Sequence, residues 1–150
     1  MAICWILFFL NQYYNLNYYK FGVLPRNLSG LKGIIFSVFI HGDVEHIASN
    51  TLPILILGML LFNFYKKIAK PVFLWIWLIS GVWLWIGGRN NIDNQNFHIG
   101  ASTLIYGLAS FLFFSGIIRK NKNLMVVSAL VVFLYGSITH GIFPIQPEIS

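Results

Sequence analysis

Charged side chains are scarce in this chain of 150 residues, since only 9% of the residues are Asp, Glu, Lys or Arg. A water-soluble domain carries about 25% of such residues. With 57% of the residues apolar and 17% aromatic, a soluble fold would expose more contiguous apolar surface than soluble monomers tolerate. The composition therefore argues against an ordinary soluble domain and predicts an integral membrane protein with several spans.

Cysteine and acidic residues are also scarce. Cys4 is the only cysteine, so the sequence supports neither a disulfide framework nor a cysteine-based zinc site, and it does not indicate a redox compartment. Ten basic residues against four acidic ones give a net charge of +6. The basic residues are scattered among apolar runs and form no recognised nucleic-acid motif, so the expected partner is membrane lipid and no nucleic acid is expected.

Apolar runs divide the chain into five predicted spans and give an all-α, polytopic transmembrane helix bundle. Residues 1–10, continued towards Tyr14, form a short first span, because they lack the basic region and the cleavage site of a signal peptide. Residues 11–30 are a polar and aromatic connector, and residues 31–40 are expected to be interfacial or re-entrant. The longer runs each hold roughly the ~20 residues that a spanning helix needs; they are residues 44–65, 71–88, 101–118 and 124–142.

Charge in the connectors predicts the orientation. Two short loops contain six basic residues and no acid, namely Lys66, Lys67, Lys70, Arg119, Lys120 and Lys122. Cytoplasmic loops are enriched in Lys and Arg, so both loops are expected inside. The acids fall on the other side: Asp43, Glu45, Asp93 and Glu148. The N-terminus is then cytoplasmic, and the second and fourth spans both begin at the outer side.

Polar side chains stand at the start of the second span. Asp43 is a predicted N-cap. His46 and Asn50 are four residues apart and share one helical face, and both can donate a hydrogen bond. Pro53 and Gly58 follow and favour a bend or the close approach of a neighbouring helix. A His/Asn pair within a span can also simply hold two helices together.

Ser102 begins the fourth span just after Gly100. The N–H groups at the start of a helix are unpaired and favour negative charge. A serine there could attack a carbonyl, and the resulting oxyanion could be held by backbone N–H groups together with His46 or Asn50. Tyr106 lies one turn below Ser102 on the same face. Serine alone is common in membrane spans, so only the combination of these groups indicates chemistry.

That combination resembles the rhomboid family of intramembrane serine proteases. A His-x4-His-x3-Asn pattern opens one span, and two spans later Gly-x-Ser is followed by a tyrosine four positions after the serine. The resemblance runs from about residue 22 to the end and includes Leu24-Pro25-Arg26, as in a bacterial branch of the family. It implies a serine–histidine dyad that cleaves transmembrane protein substrates without a metal or cofactor, in the bacterial inner (plasma) membrane.

The resemblance also implies a role for each residue of the pattern. Ser102 matches the nucleophile, and His46 and Asn50 match the oxyanion-stabilising positions. The supporting residues are His41, Gly100 and Tyr106; the tyrosine matches the one that packs beside the catalytic histidine.

Two departures from the rhomboid pattern bear on activity. The family motif is usually Gly-x-Ser-Gly, but Thr103 stands at the last position. Rhomboids place the general base on a sixth span, so the expectation is a single rhomboid-like domain over residues 1–150, with five of six core spans and no catalytic histidine. His140, at the outer end of the fifth span, is an unlikely substitute, because only its membrane depth favours it.

Three functional interpretations follow. The first is a rhomboid-type intramembrane serine endopeptidase, and the second is a catalytically inactive, rhomboid-like binder of transmembrane helices. The third is a metal- or haem-binding membrane protein that uses its four histidines: His41, His46, His98 and His140. The third is the weakest, because His41 and His46 are five apart and no His-Glu-x-x-His motif occurs.

Overall fold

The structure, a computed structural model, describes residues 1–89 and 97–139, and in these ranges it is helical. The helices are α1 (Ala2–Tyr14), α2 (Gly33–Phe36), α3 (Val44–Phe64), α4 (Ala69–Gly87), α5 (Ser102–Ile118) and α6 (Lys122–Thr139). Three short 3-10 turns lie between α1 and α3, at Tyr18–Phe21, Leu28–Gly30 and Ser37–Phe39. The all-α prediction of a rhomboid-like helix bundle is confirmed.

The helix boundaries follow the predicted spans closely. α3 and α5 match within one residue at each end, and α4 begins two residues before Pro71. The proline therefore occupies the first turn, where a missing N–H costs no helical hydrogen bond. α6 begins at Lys122, and the predicted end at residue 142 lies outside the described residues. The 31–40 run does not span: it breaks into α2 and the turn Ser37–Phe39.

Within the described residues, two helices are long and apolar enough to cross a membrane, namely α3 with 21 residues and α4 with 19. α1, α5 and α6 contain shorter apolar stretches. Large apolar side chains on α3 and α4 point outwards, among them Leu52, Met59, Trp75 and Trp83. Such a surface suits lipid, and these helices fit membrane insertion.

α5 is the central helix, because it packs against α3, α4 and α6. Its side chains are buried on successive turns, at Leu104, Ile105, Leu108 and Leu112. Lipid tails are as apolar as leucine, so close packing rather than removal from water holds such helices together. Gly107 shows this closeness, since a Cβ there would lie 2.6 Å from Ile76 on α4.

Gly58 on α3 is not approached closely by another helix. A Cβ at this position would meet no atom of the described residues within 4 Å. A close approach occurs instead at Gly81 on α4, where a Cβ would lie 2.7 Å from the carbonyl oxygen of Ile34. The close approach predicted as one option for Gly58 was wrong, because a glycine's packing role depends on its tertiary neighbours, whereas the bend predicted as the other option stays a prediction.

The segment from Val23 to Arg26, which precedes α2, is hydrogen-bonded to the end of α4 and to the residues before α5. Arg26 Nη1 donates to the carbonyl oxygens of Ile86 and Gly88, at 3.0 Å each. Val23 and His98 exchange two backbone hydrogen bonds of 2.8 Å in an antiparallel bridge. The residues that lead into α5 are thereby tied to the segment between α1 and α2, and this fixes where α5 begins.

The two basic loops lie at the same end of the bundle. The Arg119 guanidinium is 5.0 Å from the ring centre of Tyr65, and the Tyr65 hydroxyl is hydrogen-bonded to that of Ser115. The start of α3 and the start of α5 therefore share the opposite end. That common end agrees with the sequence analysis, whereas the side of the membrane that it faces stays a prediction.

Candidate active site

The start of α3 is fixed by its cap. The Asp43 carboxylate accepts a 2.7 Å hydrogen bond from the backbone N–H of His46, so the predicted N-cap is confirmed. This cap satisfies one of the unpaired N–H groups at the helix start. It also fixes the helical register, which places His46 and Asn50 one turn apart on one face. Asn50 is completely buried, whereas His46 is partly exposed.

Gly100 brings the α5 side of the site against this face. Its φ is +96°, a conformation that residues with a side chain rarely adopt. A Cβ at position 100 would overlap His46 Nε2, would lie 2.6 Å from His46 Cε1, and would lie 3.5 Å from Asn50 Nδ2. The backbone N–H of Gly100 donates to the Ser37 carbonyl at 2.9 Å. Glycine is therefore required both by the turn and by the contact with His46.

Ser102 is the first residue of α5 and follows this turn by two positions. The helical ladder begins with the N–H of Ile105, which donates to the Ala101 carbonyl at 3.0 Å. The N–H groups of Ser102 and Thr103 therefore precede the ladder. The positive end of the helix dipole lies at the same place. A hydroxyl nucleophile and backbone donors for an anion are thus found together.

Tyr135 on α6 belongs to the site, although the sequence analysis did not identify it. Its hydroxyl donates to Asn50 Oδ1 at 2.7 Å. Its ring meets Tyr106 edge-on, with 5.6 Å between the ring centres. A single phenol therefore links α3, α5 and α6. The available signal was a hydroxyl-bearing ring in an apolar span, where such a group needs a partner.

The two polar atoms of the Asn50 carboxamide differ in their hydrogen bonding. Oδ1 accepts from Tyr135, whereas the buried Nδ2 makes no hydrogen bond to the described part of the chain. Leaving a buried donor unpaired costs about 1–3 kcal/mol. Nδ2 is the atom near Gly100, so an unsatisfied donor is held beside the turn that leads to Ser102.

His41 packs behind His46. The two rings meet edge-on with centres 5.1 Å apart, and His41 is only 2% exposed. Burial, and secondly the neighbouring His46, lower the pKa of His41 to about 4. His41 is therefore neutral near pH 7 and supports the His46 ring without adding charge.

His98 lies apart from this cluster. Its backbone pairs with Val23, and its Nε2 lies 2.7 Å from the Arg89 carbonyl oxygen. His98 therefore fastens the loop before Gly100. In the ranges 1–89 and 97–139, no group of three or more His, Cys, Asp or Glu residues could hold a metal ion. His140 lies outside the described residues.

A groove of about 400 Å³ runs between α4 and α5 beside the site. Thr103 and Tyr106 line it next to Ser102, and Gly107 and Ser110 extend it along α5. Trp83 forms part of the opposite wall on α4. Thr103, which follows Ser102 in the chain and stands where the family motif has glycine, therefore lines this groove.

Comparison with known proteins identifies the family. The Rhomboid domain matches residues 29–150. The chain belongs to the rhomboid family. Rhomboid proteins are membrane proteins and are generally serine intramembrane proteases. The all-helical bundle described above is consistent with this family.

The similar curated proteins are mycobacterial and uncharacterized. A protein of Mycobacterium tuberculosis and one of Mycobacterium bovis are each 33% identical over 129 residues, which cover 83% of this rhomboid chain and 52% of the relative. One of Mycobacterium leprae is 29% identical over 148 residues, or 97% of this chain and 58% of the relative. The chain thus spans about half the length of the curated relatives it matches. No solved structure gives a significant match.

Proposed function

We propose that this rhomboid protein is an intramembrane serine endopeptidase that cleaves transmembrane proteins, with Ser102 as its nucleophile. The observation that carries the proposal is the contact of the Gly100 turn with His46 and Asn50, two residues before Ser102. Polar groups within spans are costly and are functional by default. Asn50 Nδ2, which makes no hydrogen bond to residues 1–89 or 97–139, adds a donor for a ligand or a transition state.

The chemistry follows from these positions. Ser102 Oγ attacks the scissile carbonyl carbon and gives its proton to a base. The oxyanion that forms is held by the Ser102 backbone N–H, His46 and Asn50 Nδ2, in a site shielded from water. The C–N bond then breaks, the amine leaves with a proton, and water hydrolyses the acyl ester to regenerate the serine.

The base is assigned to a histidine outside the described residues, as in the family pattern. His46 is already assigned to the oxyanion. A general base increases the rate of such a reaction by about 10²–10⁴-fold. Cleavage is therefore measurable only if this base is present. Thr103 and Tyr106, which follow Ser102 on α5, line the groove between α4 and α5, and we propose that the base approaches from there.

The substrates and the location are proposed on the same basis. The two loops with six basic residues favour a cytoplasmic N-terminus, and the mycobacterial relatives favour a bacterial inner membrane. The active end of the bundle then faces outwards. The expected substrates are transmembrane helices with a peptide bond near that surface, and membrane lipid is the expected surrounding medium.

The test is a cleavage assay with protein expressed from its complete gene and reconstituted in liposomes with a labelled single-pass transmembrane substrate. Ser102→Ala should abolish cleavage and also labelling by a fluorophosphonate probe. Ser128→Ala is the matched control, because Ser128 is a buried serine whose hydroxyl donates within α6, to the Leu124 and Met125 carbonyls. Cleavage that survives Ser102→Ala would refute the assignment.

One observation favours a second candidate function, that of a catalytically inactive protein that binds transmembrane helices. Thr103, which follows the nucleophile in the chain, lines the groove with a branched side chain, where the family motif carries only a hydrogen. Such a protein would cross-link a transmembrane peptide in the groove but would neither cleave it nor react with the fluorophosphonate. The same assay therefore separates the two functions.

A further inference from the structure

We propose that Tyr135 is a positioning residue that locks the Asn50 carboxamide with Nδ2 towards the oxyanion. The inference rests on the proposed protease function and deepens it. Tyr135 lies on α6, 85 residues from Asn50, and it is outside the sequence pattern that identified the site. Its contribution is made through Asn50, not by contact with the substrate.

The orientation of Asn50 follows from the donors available. A phenol has one proton, and that of Tyr135 is given to Asn50 Oδ1 at 2.7 Å. The carboxamide nitrogen then points away from Tyr135 and towards Gly100. Without the hydroxyl, nothing at this position would distinguish the two ends of the carboxamide. A flipped Asn50 would present an oxygen, and that oxygen would repel the oxyanion.

The Tyr135 ring is held by its edge-on contact with Tyr106 on α5, and it is only 1% exposed. Its hydroxyl is therefore kept in place to donate to Asn50. The geometry thus couples the packing of α6 to the orientation of Asn50 on α3.

Tyr135→Phe tests the lock, since it keeps the ring and its packing and removes only the hydroxyl. In the liposome assay we expect kcat to fall by about 10- to 100-fold, less than the ~10²–10³-fold cost of losing an oxyanion donor. KM should stay unchanged. Tyr65→Phe is the matched control: it removes another buried hydroxyl, bonded to Ser115 at the opposite end of the bundle, and should leave kcat unchanged.

The decisive comparison is made in an Asn50→Ala background. If Tyr135 acts by orienting Asn50, Tyr135→Phe should lower kcat there much less than in the wild type. An equal loss in both backgrounds, or an unchanged kcat in the Tyr135→Phe single variant, would overturn the proposal. Merely structural damage would instead lower kcat in both backgrounds.

Failure of the lock can be distinguished from failure of the proposed function. If the wild type cleaves nothing, the protease assignment fails. The role of Tyr135 in orienting Asn50 is then tested by the thermal unfolding of four proteins: the wild type, the two single variants and the double variant. The hydrogen bond would be supported if the double variant lost less in Tm than the sum of the losses in the Tyr135→Phe and Asn50→Ala single variants. Additive shifts would overturn it.

Discussion

The backbone of Gly100 lies against the imidazole of His46, with no room for a Cβ between them. The contact joins the start of α5 to the start of α3. It depends on a positive φ of 96° at Gly100, and the N–H of Gly100 is held by Ser37. The approach of the α5 start, which carries Ser102, to His46 and Asn50 therefore depends on one residue without a side chain.

Gly100→Ala should impair activity more than stability. The methyl group would displace His46 and strain the backbone, at a cost of roughly 1–2 kcal/mol for the backbone alone. We expect kcat/KM to fall by about 10²-fold or more, as it does when an oxyanion donor is lost. Gly58→Ala is the control, because its Cβ would meet nothing within 4 Å and helix propensity favours alanine by about 1 kcal/mol. A Gly100→Ala protein with wild-type activity would contradict this placement of His46.

His41 should make the protein less stable in acid. Its pKa is about 4 in the folded protein, against 6.5 for the free side chain. Between these values the unfolded chain binds more protons than the folded protein, so stability is present above pH 6.5 and is lost as the pH falls towards 4. The loss from this residue is at most about 1.4 kcal/mol per pH unit.

The measurement for His41 is Tm in detergent between pH 7.5 and 4.5. His41→Phe keeps a ring against His46 and removes the titrating group, so its Tm should fall less steeply with acid than that of the wild type. Asp43 and His46 are the titratable groups that act on His41, and both remain in the variant. Identical slopes in the two proteins would assign the acid sensitivity to other groups.

Local features of the fold could be predicted from the sequence, whereas tertiary ones could not. Asp43 as a cap and Pro71 in a first turn depend on neighbours within four residues, so the pattern alone sufficed. The bond between Tyr135 and Asn50 crosses 85 residues and depends on how α6 packs on α3. The sequence alone could not show that Gly100 contacts His46 while no described residue approaches a Cβ at Gly58 within 4 Å.

The membrane orientation can be tested with single cysteines in a Cys4→Ala background. Ser29 lies at the same end as the candidate site, and Lys67 and Lys120 lie in the two basic loops; all three are exposed. Because cytoplasmic loops are enriched in Lys and Arg, an impermeant maleimide should label Ser29→Cys in intact cells. Lys67→Cys and Lys120→Cys should be labelled only after permeabilisation. Labelling of Lys120→Cys in intact cells would invert the topology.

Thr103→Gly should raise cleavage by several-fold. Thr103 lies next to the nucleophile and lines the groove through which we propose that the base approaches. Removing the branched side chain widens the groove at that point, at a cost in helix propensity well under about 1 kcal/mol. Thr103→Val, which keeps the bulk and removes the hydroxyl, should behave like the wild type.

Ser110→Gly is the matched control for this effect. Ser110 lines the same groove, but it lies about 10 Å further along α5, since a helix rises ~1.5 Å per residue. Its glycine variant bears a similar loss of helix propensity without opening the groove at Ser102. If Ser110→Gly raised cleavage as much as Thr103→Gly, a general loosening of α5 would explain both. If Thr103→Gly lowered cleavage while Thr103→Val did not, the side chain at position 103 would support the site. Another residue of the groove would then have to compensate for the difference from the family glycine.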